Sequence, residues 1–146
     1  MEHSPVLSPS VDFAIVADAI QVSDDRIHLL GGGWDTLWVH GFPATVHSLA
    51  LGIRLRVPWT RANERFMLEI DLENEDGISV LGEHRVSQPF ELGRPPGLPR
   101  GSDLGMLWAQ NFYHLEVPTP GDYSFVIRID GQLADRVRFR ALAHQH

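Results

Sequence analysis

The segment Thr119-Pro120-Gly121-Asp122-Tyr123-Ser124-Phe125-Val126-Ile127-Arg128-Ile129-Asp130-Gly131 holds a turn, a strand and a second turn in thirteen residues. Tyr123, Phe125, Ile127 and Ile129 share one face of an extended chain, while Asp122, Ser124, Arg128 and Asp130 fall mostly on the other. That alternation is the signature of a half-buried antiparallel strand. The pattern Thr119-x-Gly121-x-Tyr123-x-Phe125 also matches a tyrosine corner, in which the tyrosine hydroxyl bonds back to upstream backbone; Phe125 stands where a cysteine is usual.

Downstream, a two-residue Asp130-Gly131 turn would set Phe125 opposite Arg136, which has the wrong parity for Val137 and Phe139 to share its face. A loop of about five residues or a bulge at Gly131 restores it, leaving Arg136, Arg138 and Arg140 pointing outward. Upstream, Val11 to Val22 is apolar on both faces and predicts a strand covered on both sides, and Arg26 to Leu30 returns as a second. Gly31-Gly32-Gly33 predicts a bulge, bend or close backbone approach, because neither a phosphate loop nor a dinucleotide fingerprint surrounds it. Trp34 to His40 reads as a third strand, with Trp34 and Trp38 at the same parity.

Ala44 to Val57 carries the longest alternation, Leu49, Leu51, Ile53, Leu55 and Val57 against Ala50, Gly52, Arg54 and Arg56, and predicts one wet face. Arg65 to Glu73 repeats the pattern. Setting Val57 opposite Phe66 aligns the apolar residues and places Arg54 against Glu69, so the two strands are expected to pair. Asn74-Glu75-Asp76-Gly77 is a turn, and Ile78 to Leu92 reads as two strands broken near Gly82 or Pro89. Residues 93–103, with three Pro, three Gly and two Arg, predict a mobile surface loop. In Leu104 to Val117, Tyr113, Leu115 and Val117 are expected to share a face.

The sum is about eight or nine strands and no helix. This is an all-β fold, a two-sheet antiparallel β-sandwich of immunoglobulin-like or jelly-roll type. The 146 residues fit one domain over 11–142, with disordered tails expected at 1–10 and 143–146. A chain of this length removes roughly 70% of its unfolded surface from water, so no metal or disulfide is needed to hold it. The absence of cysteine excludes disulfides, thiolate nucleophiles and cysteine-ligated metals. The first ten residues lack a basic start and an apolar run, which points to a cytoplasmic protein. A net charge of −7 argues against nucleic acid and anionic membrane as partners.

Taken together, Phe13-Ala14-Ile15-Val16-Ala17-Asp18, Gly31-Gly32-Gly33-Trp34-Asp35, Phe42-Pro43, Glu73-Asn74-Glu75-Asp76-Gly77 and Pro120-Gly121-Asp122-Tyr123-Ser124-Phe125 resemble a family of small uncharacterised bacterial proteins, common in actinobacteria. That family is known only as a domain of unknown function. The resemblance runs from about Val11 to Leu142 and implies a small cytoplasmic all-β domain, with no activity, cofactor or site residue to carry over.

Catalytic patterns are sparse. Glu69, Asp71 and Glu73 share one face instead of opposing each other across a cleft, and pairing with Arg54 and its neighbours accounts for them better than acid–base chemistry. No Gly-x-Ser-x-Gly elbow occurs. Of eight histidines only His144-Gln145-His146 are closely spaced; His40, His47, His84 and His114 could bind a metal only by converging in the fold. No cofactor or metal ligand is assigned. The binding candidates are Trp34, Trp38, Trp59, Trp108 and His114, together with the stripe Arg136, Arg138 and Arg140. The stripe could hold an acidic surface or only blunt an edge strand.

Three functions follow. The favoured one is a non-enzymatic module that binds another protein or a second copy of itself, through a sheet face or the 93–103 loop. The alternatives are a small-molecule site lined by Trp34, Trp38, Trp108 and His114, and a histidine-based metal-dependent enzyme.

Overall fold

The computed structural model describes residues 8–145. Nine strands form: β1 Ser10–Ser23, β2 Arg26–Gly32, β3 Thr36–Val39, β4 Ala44–Val57, β5 Phe66–Asn74, β6 Val86–Phe90, β7 Leu104–Val117, β8 Gly121–Ile129 and β9 Gln132–Ala143. They make a four-stranded sheet, β2-β1-β4-β7, and a five-stranded sheet, β3-β9-β8-β5-β6. The arrangement is sandwich-like, with the second sheet curled as a half-barrel. Among the described residues no helix is long and apolar enough to cross a membrane.

The core lies between the sheets. Leu49, Leu51, Ile53, Leu55 and Val57 from β4 meet Phe66, Leu68, Ile70 and Leu72 from β5 and Tyr123, Phe125 and Ile127 from β8. The tyrosine corner closes as its sequence predicts: the Tyr123 hydroxyl donates to the Thr119 carbonyl at 2.6 Å. The β8–β9 hairpin also has the expected parity, with Phe125 opposite Val137 and Tyr123 opposite Phe139. The correction is in its means. The turn is the short one, Ile129 pairing with Gln132, and the extra residue is accommodated in β9 near Ala134 instead of at Gly131.

The expected pairing of β4 with β5 is overturned. They belong to different sheets and face each other across the core. Arg54 pairs with Asp12 at 3.4 Å, and Glu69 lies between Ser87 and Arg128. Both strands carry the same alternation because both border the same core, so the pattern is satisfied across the sandwich as well as beside it. Pro58 and a 3-10 turn at Trp59–Arg61 carry the chain from sheet to sheet.

Nor is the outer face of β4 wet throughout. Ala50 and Gly52 are buried beneath the β1–β2 hairpin, where Ala17, Ile20, Ile27 and Ala109 complete a second, smaller cluster. An added Cβ at Gly52 would come within 3 Å of both Ile27 and Ile20. Asp24 and Asp25, both at positive φ, turn the hairpin. Asn111 of β7 then pins it: the carboxamide accepts from the Ile20 N–H at 3.1 Å and donates to the Ile20 carbonyl at 2.9 Å. Gly31, at φ +63°, passes so close to Asp18 that any side chain would strike its carboxylate, which is the close approach the glycine run predicts.

Three further segments depart from expectation. Residues 78–85 contribute one bridge, Glu73 with Ser79, and a 3-10 turn at Gly82–His84, so only the second half of Ile78 to Leu92 is a strand. In β7, His114 adopts φ +54°, which shifts the alternation; Leu115 and Val117 reach the core while Tyr113 turns outward. The last strand runs through Ala143, and the His144 N–H bonds the Val39 carbonyl at 2.8 Å, so order extends past the expected boundary at Leu142. The expected tail over residues 1–7 lies outside the described residues.

Candidate functional site

The aromatic candidates separate. Trp34 lies before β3 and packs inward edge-to-face on Phe139, ring centroids 5.7 Å apart, with its indole N–H buried and unpartnered. Trp38 is 53% exposed and stacks on His144 at 5.5 Å, and His40 lies tilted against the same imidazole at 5.8 Å. The shared parity expected for Trp34 and Trp38 fails because β3 begins only at Thr36, after a bend. Trp108 is half-buried on the inner face of β7 and donates to Gln110 at 3.2 Å. His114 meets His47 at 5.2 Å. Trp34 and Trp108 therefore pack against the common core, while Trp38 on β3 and His114 on β7 are exposed on different sheets, so the four do not line one aromatic pocket.

Trp59 has a different task. The Arg94 guanidinium lies 4.3 Å over its ring and donates to its carbonyl at 2.7 Å. Together with Leu98, which packs on the core, this anchors the 93–103 loop, which holds no regular element, to the β4–β5 crossing.

The histidines gather only as the pairs His40–His144 and His47–His114 among the described residues. Among the described residues no group of three or more His, Asp or Glu is placed to hold a metal ion.

What the fold does assemble is a cleft of about 670 Å³ on the outer face of the second sheet. Its floor is the stripe Arg136, Arg138 and Arg140 of β9 with Ser124 of β8 and Glu73 of β5; the Asn74–Gly77 turn and Asp35 form its walls. Glu73 takes Arg136 at 3.6 Å and Arg128 at 3.7 Å, and Asp122 takes Arg140 at 3.5 Å. Asp71, nearly buried, is held by Ser79 at 2.6 Å and Arg85 at 3.4 Å. β9 lies between β3 and β8 only from Arg140 to Ala143, so Arg136 and Arg138 stand on a stretch of β9 with no outer neighbour among the described residues, where charge blunts an edge. The stripe's carboxylate partners became visible only once β5, β8 and β9 were adjacent.

From Arg140 on, the edge on this side is β3. It runs parallel to β9, Thr36 beside Arg140 and Val39 beside Ala143. Asp35 and Val39 accept from Arg140 and His144 through their carbonyls, so by alternation the N–H and C=O groups of Thr36 and Trp38 point away from β9. Leu37 packs on the core, which puts Trp38 and Thr36 on the outer face. This edge was not singled out from the sequence, although Thr36-Leu37-Trp38-Val39 is an uncharged run of strand formers.

Comparison with solved structures finds only partial likenesses. The chain is similar to part of the Pseudomonas fluorescens alkylpurine DNA glycosylase AlkC bound to DNA containing an abasic site analog, at 12% identity and a TM-score of 0.47, over 92% of this chain and 30% of that one. It is also similar to part of a glycosyl hydrolase family 2 member from Bacteroides cellulosilyticus DSM 14838, at 10% identity and a TM-score of 0.36, over 87% of this chain and 25% of that one. The chain thus spans less than a third of either protein, and likenesses this distant carry no argument. No curated protein matches the sequence. A family model does, over residues 12–142, and the chain belongs to that family, DUF6941, a family of unknown function.

Proposed function

We propose that this is a non-enzymatic binding domain that pairs with a second copy of itself through the free edge of β3. The observation that carries the reading is the pair of outward-facing backbone groups on Thr36 and Trp38, on a strand whose one sheet neighbour among the described residues is β9. Exposed edges are normally blunted. Here β6 contains Pro89, β7 is distorted at His114 and β2 ends in glycines, whereas β3 has neither charge nor proline.

The edge is self-complementary. With Leu37 on a two-fold axis, antiparallel pairing sets Thr36 opposite the partner's Trp38, and each pair exchanges both backbone hydrogen bonds. Each Trp38 ring would then cover the other copy's Thr36, an aromatic with β-branched pairing that favours sheets. The same register brings Asp35 beside the end where the second copy carries its imidazoles. A four-residue edge falls short of the roughly 1,200 Å² that stable interfaces bury, so the dimer should be weak and concentration-dependent. The tyrosine corner supports placing the sandwich in the immunoglobulin-like class.

Sedimentation equilibrium of the wild type, Trp38→Lys and Thr36→Pro tests this. The expected result is a monomer–dimer equilibrium that both variants abolish while their thermal melts stay close to wild type. A wild type that remains monomeric at high concentration, or well-folded variants that dimerise equally, would overturn it.

A further inference from the structure

The cleft on the second sheet's outer face has an imbalance at its centre. Of its three arginines, Arg136 and Arg140 each have a carboxylate, but among the described residues Arg138 has neither an ion-pair nor a hydrogen-bond partner. The residue opposite it on β8 is the neutral Ser124. Its like-charged neighbours are two positions away along β9, about 7 Å. Arg138 is exposed on a stretch of β9 that β3 does not cover, since β3 pairs only from Arg140 to Ala143, so its charge can protect that edge and, lacking a counter-ion, is also open to a ligand. Asp35 and Glu75, which also line the cleft, are likewise outside any ion pair among the described residues.

We propose that this cleft binds a small polar ligand through a single carboxylate seated on Arg138, with hydroxyl or ammonium donors directed to Asp35 and Glu75. A guanidinium grips a carboxylate with two parallel hydrogen bonds. A dianionic phosphate fits less well, because Glu73, Asp122, Asp35 and Glu75 all border the same space. The volume is that of a metabolite site, and the polar lining selects against apolar ligands. The residues of this site come from one copy, though Asp35 and Thr36 border both the cleft and the β3 edge.

The test is an NMR amide titration with gluconate and glutamine as carboxylate probes, glucose 6-phosphate as the phosphate probe and glucose as the neutral control, at constant ionic strength. At least one carboxylate probe should shift the amides of Ser124 and Arg138, with affinity falling roughly 10- to 100-fold in Arg138→Gln and recovering in part in Arg138→Lys. Because Arg138 is exposed, both variants should melt with the wild type. Tighter binding of glucose 6-phosphate, equal binding of glucose, unchanged affinity in Arg138→Gln, or no shift with either carboxylate probe at tens of millimolar would each overturn the assignment.

Discussion

The outer faces of the two sheets have met the same problem in opposite ways. On the first sheet, Ala17, Ala50, Gly52 and Ala109 present almost no side chain, and the β1–β2 hairpin folds back over them and is fastened by Asn111. On the second, arginines and carboxylates stand up from β5, β8 and β9, residues 78–85 reach only Asp71, and among the described residues a cleft is left over the rest. Both faces alternate with the same core. What separates them is side-chain bulk and charge: small residues admit a second layer of backbone, and charged ones keep the face in water. The chain has used one face for stability and left the other available.

The sharpest way to break this contrast is to make one substitution on each side. Ala50→Gln forces a polar amide into the closed cluster and should cost about 2–4 kcal/mol, whereas Ser124→Gln in the open cleft should stay within about 0.5 kcal/mol, as read from denaturant midpoints. Removing only the fastening is milder. Asn111→Ala strands the Ile20 N–H and C=O, and a loss of about 1–3 kcal/mol is expected, with faster amide exchange confined to the hairpin.

On the open face, Glu73→Gln should cost less than about 1 kcal/mol, because its partners are partly exposed, while releasing Arg128 and Arg136 and strengthening binding of carboxylate probes. The smallest effect lies outside both faces, at the fork between Arg61 and Glu64, 3.0 Å at its shortest. The hydrogen bond from Arg61 holds the Glu64 carboxyl below its usual range. Its contribution therefore favours folding above about pH 4.3 and disappears as the pH falls through the lowered value, so Glu64→Gln should slightly flatten the acid limb of the stability profile.

Much of the fold was legible because period-two alternation marks which residues face a core. It marked β4, β5, β8 and β9, and the parity argument anticipated the irregularity in the last hairpin. Alternation is silent on whether a second strand lies beside the first or across from it, and that is where the β4–β5 pairing failed. The eight residues from Pro58 to Arg65, long for a hairpin loop, were the available hint. The docked hairpin was hidden for a related reason, since Ala50 and Gly52 read equally well as an undemanding wet face. Of the candidate site, Arg136, Arg138 and Arg140 were visible as a stripe, yet Arg138 could be told from its neighbours only after Glu73 and Asp122 had been placed. Trp38 was visible as an aromatic, but its exposure follows from the bend that starts β3 at Thr36.

The most direct test of the β3 edge is amide hydrogen exchange at Thr36 and Trp38 as protein concentration is raised. Leu37 and Val39, whose backbone groups face β9, should be protected at every concentration. Thr36 and Trp38 should exchange freely when dilute and gain protection together as the dimer forms. If the protein associates while these two amides stay unprotected, or never associates, the edge is not the binding surface.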